Sequence, residues 1–589
     1  MAALDPILTK ILWNRLISIV DEAATGLVRT SYSIVVRDYH DYCVGIFDAR
    51  GNMLAHSTKT APGFIAMMPN AMKEFLRLHP AGTLREGDAL ATNDPWIATG
   101  HLLDLTVVEP IFLDGTLVGF TVCVVHHLDI GGRMASLESK DMYEEGLKIP
   151  ITRIYEAGRR NETFFDFVRA NVRMAPKVAG DISAQMAANN ICKQGVRKMI
   201  REYAFTDLET LVDTIIRIAG DSMRRQIAEL PDGIYRNEVR LPPVGGLKQP
   251  ILVRIAIEIR GDTIAIDYDG SDAEVEAAVN LTLPFTASYT IYGIKVLIDP
   301  DVPNNAGCIA PITVRAPLGS VMNCRPPAPT WGRTLIAHNL PELVFGALAP
   351  ALPDRVIAAC GSTPLVAMYF NGRKRDGQEF LSIVSHCGGF GASGTRDGYA
   401  TLCFPFNTAA IPVEVTEADT CLVYRKREFA VDTGGPGRFR GGLGQEVIFG
   451  VPDDDHAPPT PVAATLRGSP RALDSTYPVF GREGGKHGRG TGLTLNGEKV
   501  LPGGRQKLVP GDEIRLLLPG GGGYGDPLSR DPAAVRQDVR DGLVSLAAAR
   551  EDYGVVLDAA TLEIDKAATA TLRAAGRRGP TPGAEGDFA

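Results

Sequence analysis

The sequence predicts a mixed α/β protein of several domains, in which mixed sheets are followed by a glycine-rich β part. The chain has 589 residues, several times the length of a typical domain. Helical spacing of apolar residues alternates with β-branched runs at first, and from Leu422 onward short strands and glycine-rich turns take over. We therefore expect helices and strands to share the first domains and a β domain to follow.

The chain starts with a predicted helix that Asp5 caps and Pro6 begins, and the helical pattern ends near Ser31. A strand, a turn and a second strand follow, with the turn at residues 48–52. Asp41 stands just ahead of the first of these strands. It is either a candidate ligand carboxylate or a solvated acid at a strand end.

Residues 93–132 contain three of the ten histidines, and their pattern predicts one β-hairpin. Its strands run from about 105 to 112 and from 116 to 125, and Asp114-Gly115 between them has the residue types of a tight turn. Folding back at this turn gathers five polar side chains at one end of the hairpin: His101, Asp104, His126, His127 and Asp129. Imidazoles and carboxylates that converge in this way suit a divalent cation such as Zn, Mn or Fe.

The register of the hairpin stays open, because Pro110 cannot donate a ladder hydrogen bond and indicates an edge strand or a bulge. If the strands pair regularly from the turn, Asp104 and His126 lie on opposite faces of the sheet. A bulge, or a turn out of the strand, must then intervene for the polar groups to meet. The plain alternative is a polar strand end whose side chains bond to turn backbone, but five such groups favour a metal site.

Composition and charge argue against several classes of protein. The net charge is −8 and the only basic tract is the Arg577-Arg578 pair, so binding to nucleic acid or to an anionic membrane is disfavoured. The N-terminus lacks a secretory leader pattern and no run is long enough to span a bilayer, which predicts a cytoplasmic protein. Nine cysteines without a C-x-x-C pair argue against a disulfide framework or a zinc ribbon.

The remaining elements divide the chain into four predicted domains. A long helix that Asp181 caps is expected to run through Arg201 and another helix from about 208 to 230, and Pro231-Asp232-Gly233 then marks a break. A helix is also expected over residues 333–351. The predicted domains are an N-terminal metal-binding α/β domain (1–230), a central α/β domain (231–421), a glycine-rich β domain (422–530) and a helical C-terminal segment with a disordered tail (531–589).

Two glycine-rich stretches match the dinucleotide-binding pattern G-x-G-x-x-G, at residues 389–394 and 520–525. Neither is followed by a helix pattern that could direct an N-terminus at a pyrophosphate, and the motif G-x-x-x-x-G-K-[ST] is absent from the sequence. Backbone turns or interface loops are therefore the favoured interpretation. Arg438 and Arg440, which stand among glycines, either hold an anion or are solvated turn residues.

Many short motifs occur in one order along the chain. They include DYCVGIFDARGNMLAHS, HLLD, HHLDIGG, EGLKIP, LPDGIY, GGPGRFRGGLG and PGGGGYGDP. In this the chain resembles the hydantoinase B/oxoprolinase family, which contains the B-type subunits of ATP-dependent cyclic-amide hydrolases and subunits of the related acetone and acetophenone carboxylases.

The resemblance implies a reaction, a partner and a set of site residues. The reaction is the ATP-dependent opening of a cyclic amide, such as a hydantoin, an oxoproline or a lactam. The partner is an A-type subunit that binds ATP with Mg and activates the substrate, so that the two chains form a hetero-oligomer. The site residues are the metal ligands Asp41, His101, Asp104 and His126, with His127 and Asp129 nearby as supporting catalytic residues.

Three other functions stay open at this point. One is a subunit of a ketone carboxylase of the acetone or acetophenone type, in which the cation orients an enolate and carbon dioxide. Another is a non-haem iron oxygenase, although that class usually places H-x-D along a strand and the spacing here is H-x-x-D. The third is a non-catalytic scaffold subunit whose metal is structural.

Overall fold

The structure of the protein is a computed structural model that describes residues 5–203, 208–467, 477–500 and 505–576. The chain forms two compact units: unit 1 is Met1–Arg236, Pro243–Val344 and Phe406–Ile411, and unit 2 is Asn237–Pro242, Phe345–Pro405 and Pro412–Ala589. Helices and several sheets are both present, which confirms the mixed α and β class. The four domains predicted from the sequence stay a prediction, and the tail predicted to be disordered falls outside the described residues from 577 on.

Unit 1 begins with helices and strands that alternate along the chain. The helices are α1 (Pro6–Thr30), α2 (Ile34–Arg37), α3 (Met67–Leu78), α4 (Glu162–Asn171), α5 (Ala175–Glu202) and α6 (Glu209–Ala228). The strands are β1 (Tyr42–Asp48), β2 (Met53–His56), β3 (Ala89–Thr92), β4 (Asp104–Leu113), β5 (Thr116–His126), β6 (Thr152–Glu156) and β7 (Arg159–Arg160). They form a seven-stranded sheet in the order β2-β1-β5-β4-β3-β6-β7, in which β5 is antiparallel to both β1 and β4.

Helix α1 begins and ends where the sequence predicts. The Asp5 carboxylate accepts a hydrogen bond from the Leu8 N–H, Pro6 occupies the first turn, and Ser31 follows the last helical residue. The buried side chains recur at helical spacing: Leu12, Leu16, Ile19, Val20, Ala23 and Leu27. Local sequence signals therefore account for this element.

Helix α5 covers one face of the seven-stranded sheet and contacts its backbone through polar side chains. The Gln185 side chain donates to the carbonyls of Leu105 on β4 and Cys123 on β5, both at 2.9 Å. On the same face, Lys193 forms an ion pair with Glu109 of β4. The helix thus ties together the two strands of the predicted hairpin.

Asp181 does not cap α5, so that prediction is wrong. The helix begins at Ala175, and Asp181 lies inside it. The Asp181 carboxylate instead accepts the backbone N–H groups of Tyr32 and Ser33, where the chain leaves α1. An acidic residue inside one helix therefore accepts hydrogen bonds from the backbone N–H groups that follow another helix. The local sequence around Asp181 contains no sign of this contact.

The rest of unit 1 contains a smaller sheet and several helices. Strand β9 (Ile251–Arg260) is antiparallel to β10 (Thr263–Asp267), and β10 is parallel to β11 (Ile312–Arg315). The helices are α7 (Leu283–Ile298), α8 (Ala306–Ile309) and α9 (Thr334–Ala337). Strand β8 (Gly233–Leu241) and helix α10 (Leu340–Leu348) include residues at which the chain passes between the units.

The single helix predicted over residues 333–351 is in fact the pair α9 and α10. The helices are separated at His338 and Asn339. Pro341 has no N–H with which to continue the hydrogen-bond pattern of the preceding turn. In addition, the Asn339 side chain donates to the Leu335 carbonyl, which takes an acceptor of the first helix.

Unit 2 contains two sheets around a shared core. Its strands are β12 (Val366–Arg373), β13 (Glu379–His386), β14 (Val423–Phe429), β15 (Gln445–Gly450), β16 (Val462–Arg467), β17 (Gly492–Leu495), β18 (Glu498–Lys499), β19 (Arg505–Leu508) and β20 (Glu513–Leu517). The sheet orders are β13-β12-β16-β19 and β14-β15-β20-β17-β18. One buried cluster joins side chains of both sheets, including Met368 and Phe370 from the first and Phe449 and Leu516 from the second. Among the described residues, the helices that lie wholly in this unit are α11 (Val413–Asp419), α12 (Pro532–Arg540), α13 (Leu546–Glu551) and α14 (Lys566–Gly576).

The glycine-rich stretches of unit 2 pack against one another as extended backbone. The N–H groups of four consecutive glycines, residues 520–523, donate in turn to the carbonyls of Arg489, Gly442, Ala359 and Lys486. Gly520 and Gly523, which are three residues apart, both donate to the segment that contains Arg489 and Lys486. The direction in which the N–H groups point therefore repeats every three residues. This is the period of a polyproline II helix, and we call these packed stretches the glycine bundle: residues 358–361, 388–398, 434–444, 479–489 and 519–525.

Most glycines of this bundle have no room for a side chain. A Cβ atom on Gly521 would overlap the Phe390 carbonyl, and one on Gly442 would overlap the Tyr399 carbonyl. The same crowding explains why collagen requires glycine at its axis. The two G-x-G-x-x-G matches are therefore parts of a packed backbone layer, and most of their N–H groups donate to protein carbonyls, while that of Gly391 donates to the Cys360 sulfur.

The structure also bears on membrane association. Within the described ranges, every helix is either too short or too polar to cross a lipid bilayer.

Candidate metal centre

Three neighbouring strands place one polar side chain each in a row at one end of the seven-stranded sheet. Asp104 of β4 stands directly opposite His126 of β5. On the other side of β5, the His126 N–H donates to the carbonyl of Asp41, the residue just before β1. Residues directly opposite in an antiparallel ladder point to the same face, so the three side chains share one face. His101 joins them from the turn that precedes β4, and we call Asp41, His101, Asp104 and His126 the ligand row.

A β-bulge in β5, in which Val118 is the extra residue, brings Asp104 and His126 together. The two strands pair regularly next to the hairpin turn, and the register then shifts between Ile111 and Phe112. Without that shift Asp104 would stand opposite Val125 and point to the other face of the sheet. The bulge that the sequence required for the polar groups to meet is therefore present.

Pro110 lies on the strand opposite this bulge, and the end of a neighbouring ladder explains why its missing N–H is tolerated. Strand β4 lies inside the sheet and is not an edge. Its neighbour β3 pairs only with residues 106–108, so Pro110 lies beyond the end of that ladder. At the turn, Asp114 and Gly115 have φ angles of 48° and 84°, as a tight hairpin turn demands.

The ligand atoms of the row converge on a small volume. The Asp104 Oδ1 atom lies 2.9 Å from His101 Nε2 and 2.8 Å from His126 Nδ1. The Asp41 Oδ2 atom lies 3.7 Å from the same nitrogen of His126. A four-coordinate Zn ion with bonds of about 2.1 Å separates its ligand atoms by roughly 3.3 Å. One nitrogen each of His101 and His126 and one oxygen of Asp104 lie within 4.8 Å of one another and fit a single divalent cation, and Asp41 lies beside them, next to His126.

The ligand row is buried and has unsatisfied polar atoms. Asp41 and His101 are each 3% exposed, and Asp104 is 1% exposed. In the part of the chain that the structure describes, Asp41 Oδ1 and His101 Nδ1 have no hydrogen-bond partner. Burying a polar atom without a partner costs free energy, so such atoms are rare outside sites that bind something. The unpaired carboxylate oxygen of Asp41 supports the presence of a cation.

Burial and mutual contact set the protonation states of these groups. Burial, together with the charge of Arg333, lowers the pKa of His101 to about 3, so its imidazole is neutral. Burial raises the pKa of Asp41 to about 7. Burial also opposes the ionisation of Asp104, but contact with His101, His126 and Arg333 outweighs it and holds the pKa of Asp104 well below its usual range. Contact with Asp104 and Asp41 outweighs burial and raises the pKa of His126. Neutral imidazoles and ionised carboxylates are the forms that bind metals, so His101 and Asp104 are prepared for a cation, whereas the raised pKa values of Asp41 and His126 favour their protonated forms until one binds.

Arg333 is a residue of the site that sequence reasoning missed. Its Nη2 atom donates to Asp104 Oδ2 at 2.9 Å, and its Nε atom donates to the Thr99 carbonyl at 2.9 Å. The two partners Arg333 and Asp104 are 229 residues apart, and no motif or spacing connects them. Only the folded chain brings them together, so the sequence contains no signal that could have identified this contact.

His127 points to the face opposite the ligand row. Consecutive residues of a strand alternate between faces, and the His127 ring lies against α5, where its Nε2 atom is 3.2 Å from Gln185 Oε1. The Gln185 amide nitrogen donates to two strand carbonyls, so the amide oxygen must be the atom that faces the ring. His127 Nε2 therefore carries the hydrogen and donates it to Gln185.

Asp129 closes the loop that follows the hairpin. One carboxylate oxygen accepts the Gly131 N–H and the Arg173 guanidinium, and the other accepts the backbone N–H of Arg173. These contacts occupy both oxygens with protein donors. The structure thus brings the ligand atoms of His101, Asp104 and His126 together and places Asp41 beside them, whereas His127 and Asp129 make other contacts. The roles of all six stay predictions.

Comparison with known sequences shows similarity over almost the whole chain. The model of the family described as hydantoinase B/oxoprolinase matches residues 5–527. The B-type subunit of a putative D-/L-hydantoinase, from Pseudomonas sp. (strain NS671), is 28% identical and covers 97% of this chain and 98% of its own. The beta subunit of the caprolactamase of Pseudomonas jessenii is 29% identical and covers 98% of this chain and 100% of its own.

Comparison with solved structures gives the same picture of the fold. The crystal structure of the ATP-dependent caprolactamase from Pseudomonas jessenii matches with a TM-score of 0.86 at 27% identity, over 97% of this chain and 100% of that one. The nucleotide-free structure of acetone carboxylase, an enzyme of ATP-dependent acetone carboxylation, matches with a TM-score of 0.82 at 21% identity, over 97% of this chain and 83% of that one. The second likeness is one of fold alone.

Proposed function

This chain belongs to the hydantoinase B/oxoprolinase family, and from that premise we propose that it is the metal-binding subunit of an ATP-dependent enzyme that opens cyclic amides. Its substrate is a hydantoin, an oxoproline or a lactam. Its partner is an A-type subunit that binds ATP and Mg. The two relatives that are named as subunits of a hydantoinase and of a caprolactamase, and that cover nearly the same length, support both parts of this proposal.

The ligand row is the observation that supports a catalytic metal most directly. Two imidazole nitrogens and one carboxylate oxygen face one another within one buried volume, and the Asp41 carboxylate lies beside them. Zn, Mn and Fe all accept this mixture of nitrogen and oxygen donors. Bound there, the cation would supply Lewis acidity to a carbonyl group or to water.

The residues of this chain prepare the site for that chemistry. Asp104 is kept ionised by its neighbours, and His101 is kept neutral by burial, so neither has to lose a proton before it binds a cation. The burial of the row excludes bulk water from the ligands. A low-dielectric pocket of this kind strengthens the electrostatic contacts that a polarised amide would make.

The ATP site is expected in the partner rather than in this chain. The sequence contains no G-x-x-x-x-G-K-[ST] motif. The two glycine-rich stretches that resemble nucleotide loops donate most of their N–H groups to protein carbonyls. Activation of the substrate by ATP therefore falls to the A-type subunit, and the two chains form a hetero-oligomer.

The proposal is tested by purifying the chain together with its A-type subunit and measuring ATP consumption with a panel of substrates. The panel contains a hydantoin, 5-oxoproline and a lactam, and separately a ketone with bicarbonate. We expect a cyclic amide to drive ATP consumption only when both subunits and a divalent metal are present. If none of the cyclic amides does so, ring opening is not the function.

A ketone carboxylase is the second candidate, because the fold of acetone carboxylase matches nearly all of this chain. The same panel separates the two candidates. ATP consumption that depends on a ketone and bicarbonate, with no response to cyclic amides, would favour the carboxylase.

A scaffold role with a structural metal is the candidate of another class. The variant His101→Ala removes one ligand of the row, while His456→Ala removes an exposed histidine of unit 2 and serves as a matched control. We expect His101→Ala to abolish turnover and to leave assembly with the partner intact, and the control to change neither. Loss of assembly with retained turnover per complex would favour the scaffold.

A further inference from the structure

We propose that Arg333 is the positioning residue of the metal centre, and that its single guanidinium group holds both Asp104 and the turn carrying His101 in place before a cation binds. This inference rests on the metal site proposed above and adds a residue to it. Arg333 is 4% exposed and approaches the row from a part of unit 1 that is distant in sequence.

One edge of the guanidinium group makes two contacts that bracket His101. Nε donates to the carbonyl of Thr99, two residues before His101, and Nη2 donates to the carboxylate of Asp104, three residues after it. Both distances are 2.9 Å. A planar, rigid fork of donors therefore fixes the separation between the start and the end of the turn.

The contact with Arg333 also gives the two carboxylate oxygens of Asp104 different partners. Oδ2 accepts from Arg333, whereas Oδ1 faces His101 Nε2 and His126 Nδ1. Because Oδ2 is held, the carboxylate cannot rotate about its terminal bond without losing a charge-assisted hydrogen bond. Arg333 thus presents one chosen oxygen of Asp104 to the ligand row.

The surroundings of Arg333 are shaped to hold it. The guanidinium carbon lies 4.2 Å from the centre of the Phe285 ring. Gly100 has a φ of 81°, and a Cβ atom there would come within 3.1 Å of Arg333 Cδ and Nε, so glycine leaves room for the side chain. Glu145 accepts the N–H groups of Thr330 and Trp331 and so anchors the loop that leads to Arg333.

The test is the variant Arg333→Lys, which keeps the positive charge but replaces the fork by a single ammonium group. The affinity of the full chain for Zn is measured by competition with a chelator, without any substrate. We expect affinity to fall by about 10- to 100-fold, as is usual when the group that orients a metal ligand is lost. Arg530→Lys is the matched control, because Arg530 is an equally buried arginine that pairs with Asp397 and Asp538 in unit 2.

A second measurement separates positioning from a loss of folding. The visible absorption of bound Co reports the arrangement of its ligands, and circular dichroism reports whether each variant folds. We expect Arg333→Lys to fold, to bind Co weakly and to change its spectrum, and Arg530→Lys to bind Co with the spectrum of the wild type. If Arg333→Lys does not fold, Arg333→Gln, which keeps a planar end group but loses the charged fork of donors, should give the same loss of affinity.

The outcomes distinguish this inference from the proposed function. If the wild-type chain binds Zn and Arg333→Lys binds it equally well with an unchanged Co spectrum, Arg333 is not a positioning residue, although the metal site stands. If the wild-type chain binds no divalent metal, the proposed function itself fails.

Discussion

The ligand row of unit 1 and the glycine bundle of unit 2 differ in what they leave unpaired. In the row, buried polar atoms such as Asp41 Oδ1 lack a hydrogen-bond partner among the described residues. In the bundle, successive N–H groups from Gly520 to Gly523 each donate to a carbonyl of a neighbouring segment. Both regions carry motifs that are associated with ligands, but the N–H groups of the glycine motif already have partners, whereas carboxylate and imidazole atoms of the row do not.

The two regions show that motifs associated with ligands can arise for two different physical reasons. Glycine repeats resemble phosphate-binding loops because both need close backbone approach, yet in the bundle the close neighbour is another stretch of the same unit. Histidines and carboxylates cannot satisfy one another in this way, because their lone pairs compete for few protons. We therefore expect substitutions in the bundle to affect folding and substitutions in the row to affect metal binding.

The largest effect is expected from Gly521→Ala in the bundle. The new Cβ would overlap the Phe390 carbonyl, and since the obstacle is backbone it cannot rotate away. We expect a loss of more than about 4 kcal/mol in the free energy of unfolding of unit 2, which chemical denaturation would measure. The control is Gly492→Ala in β17, where only Leu517 Cβ comes near, at 3.9 Å, and the change should stay within about 1 kcal/mol. Equal stability of the two variants would contradict the packed bundle.

The next effect is expected from Asp104→Asn in the row. The substitution keeps shape and removes charge, so the row loses its central carboxylate. We expect the affinity for Zn to fall by more than about 100-fold, beyond the cost of losing a supporting contact. Asp129→Asn is the matched control, because the Asp129 carboxylate contacts Gly131 and Arg173. The affinity of this variant for Zn should stay at the wild-type value. Isothermal titration of both variants makes the comparison.

Much of the fold is predictable because its signals are local. Helix α1 follows from Asp5, Pro6 and apolar spacing, and the hairpin follows from Asp114-Gly115 between two β-branched runs. The split between α9 and α10 and the start of α5 are not predicted. Helical periodicity outweighs Pro341 in the first case, and Asp181, which has the residue type of a cap, serves a distant backbone in the second.

The candidate site is predictable only as far as the hairpin reaches. Sequence order places Asp104 and His126 on the same ribbon, and the required bulge can be inferred, but its position cannot. The family resemblance singles out Asp41 because it belongs to a shared motif. Arg333 escapes every local argument, because its contact with Asp104 depends on how two distant segments of unit 1 pack.

A smaller effect is expected at Glu145, a buried acid that contacts backbone rather than the row. Burial raises the pKa of its carboxyl from 4.5 to about 8, although the N–H groups of Thr330 and Trp331 oppose the shift. The folded chain therefore holds this proton more tightly than the unfolded chain, so stability from this group is complete below about pH 4.5 and declines as the pH rises towards 8. Its slope is at most about 1.4 kcal/mol per pH unit.

Glu145→Gln imitates the protonated acid and should remove that slope. We expect the variant and the wild type to unfold alike at pH 5, and the variant to be more stable than the wild type at pH 7.5. Denaturant titrations at the two pH values measure the difference. A variant that is less stable at the higher pH would mean that the ionised carboxylate is the form that holds the loop before Arg333.

The smallest effect on metal binding is expected from His127→Asn, and its neighbour supplies the sharpest contrast. His126 faces Asp104 and Asp41, whereas the His127 ring lies on the other face of the sheet and donates to Gln185. The same substitution at these two adjacent positions therefore tests whether the face on which a histidine lies decides its effect on metal binding. We expect His127→Asn to change the affinity for Zn by less than about threefold and to cost about 1–2 kcal/mol of stability, since Gln185 loses its donor. His126→Asn should lower the affinity by more than about 100-fold, because a direct ligand is lost. Chelator competition on both variants decides the matter, and a comparable loss at His127 would mean that the row is not confined to one face of the sheet.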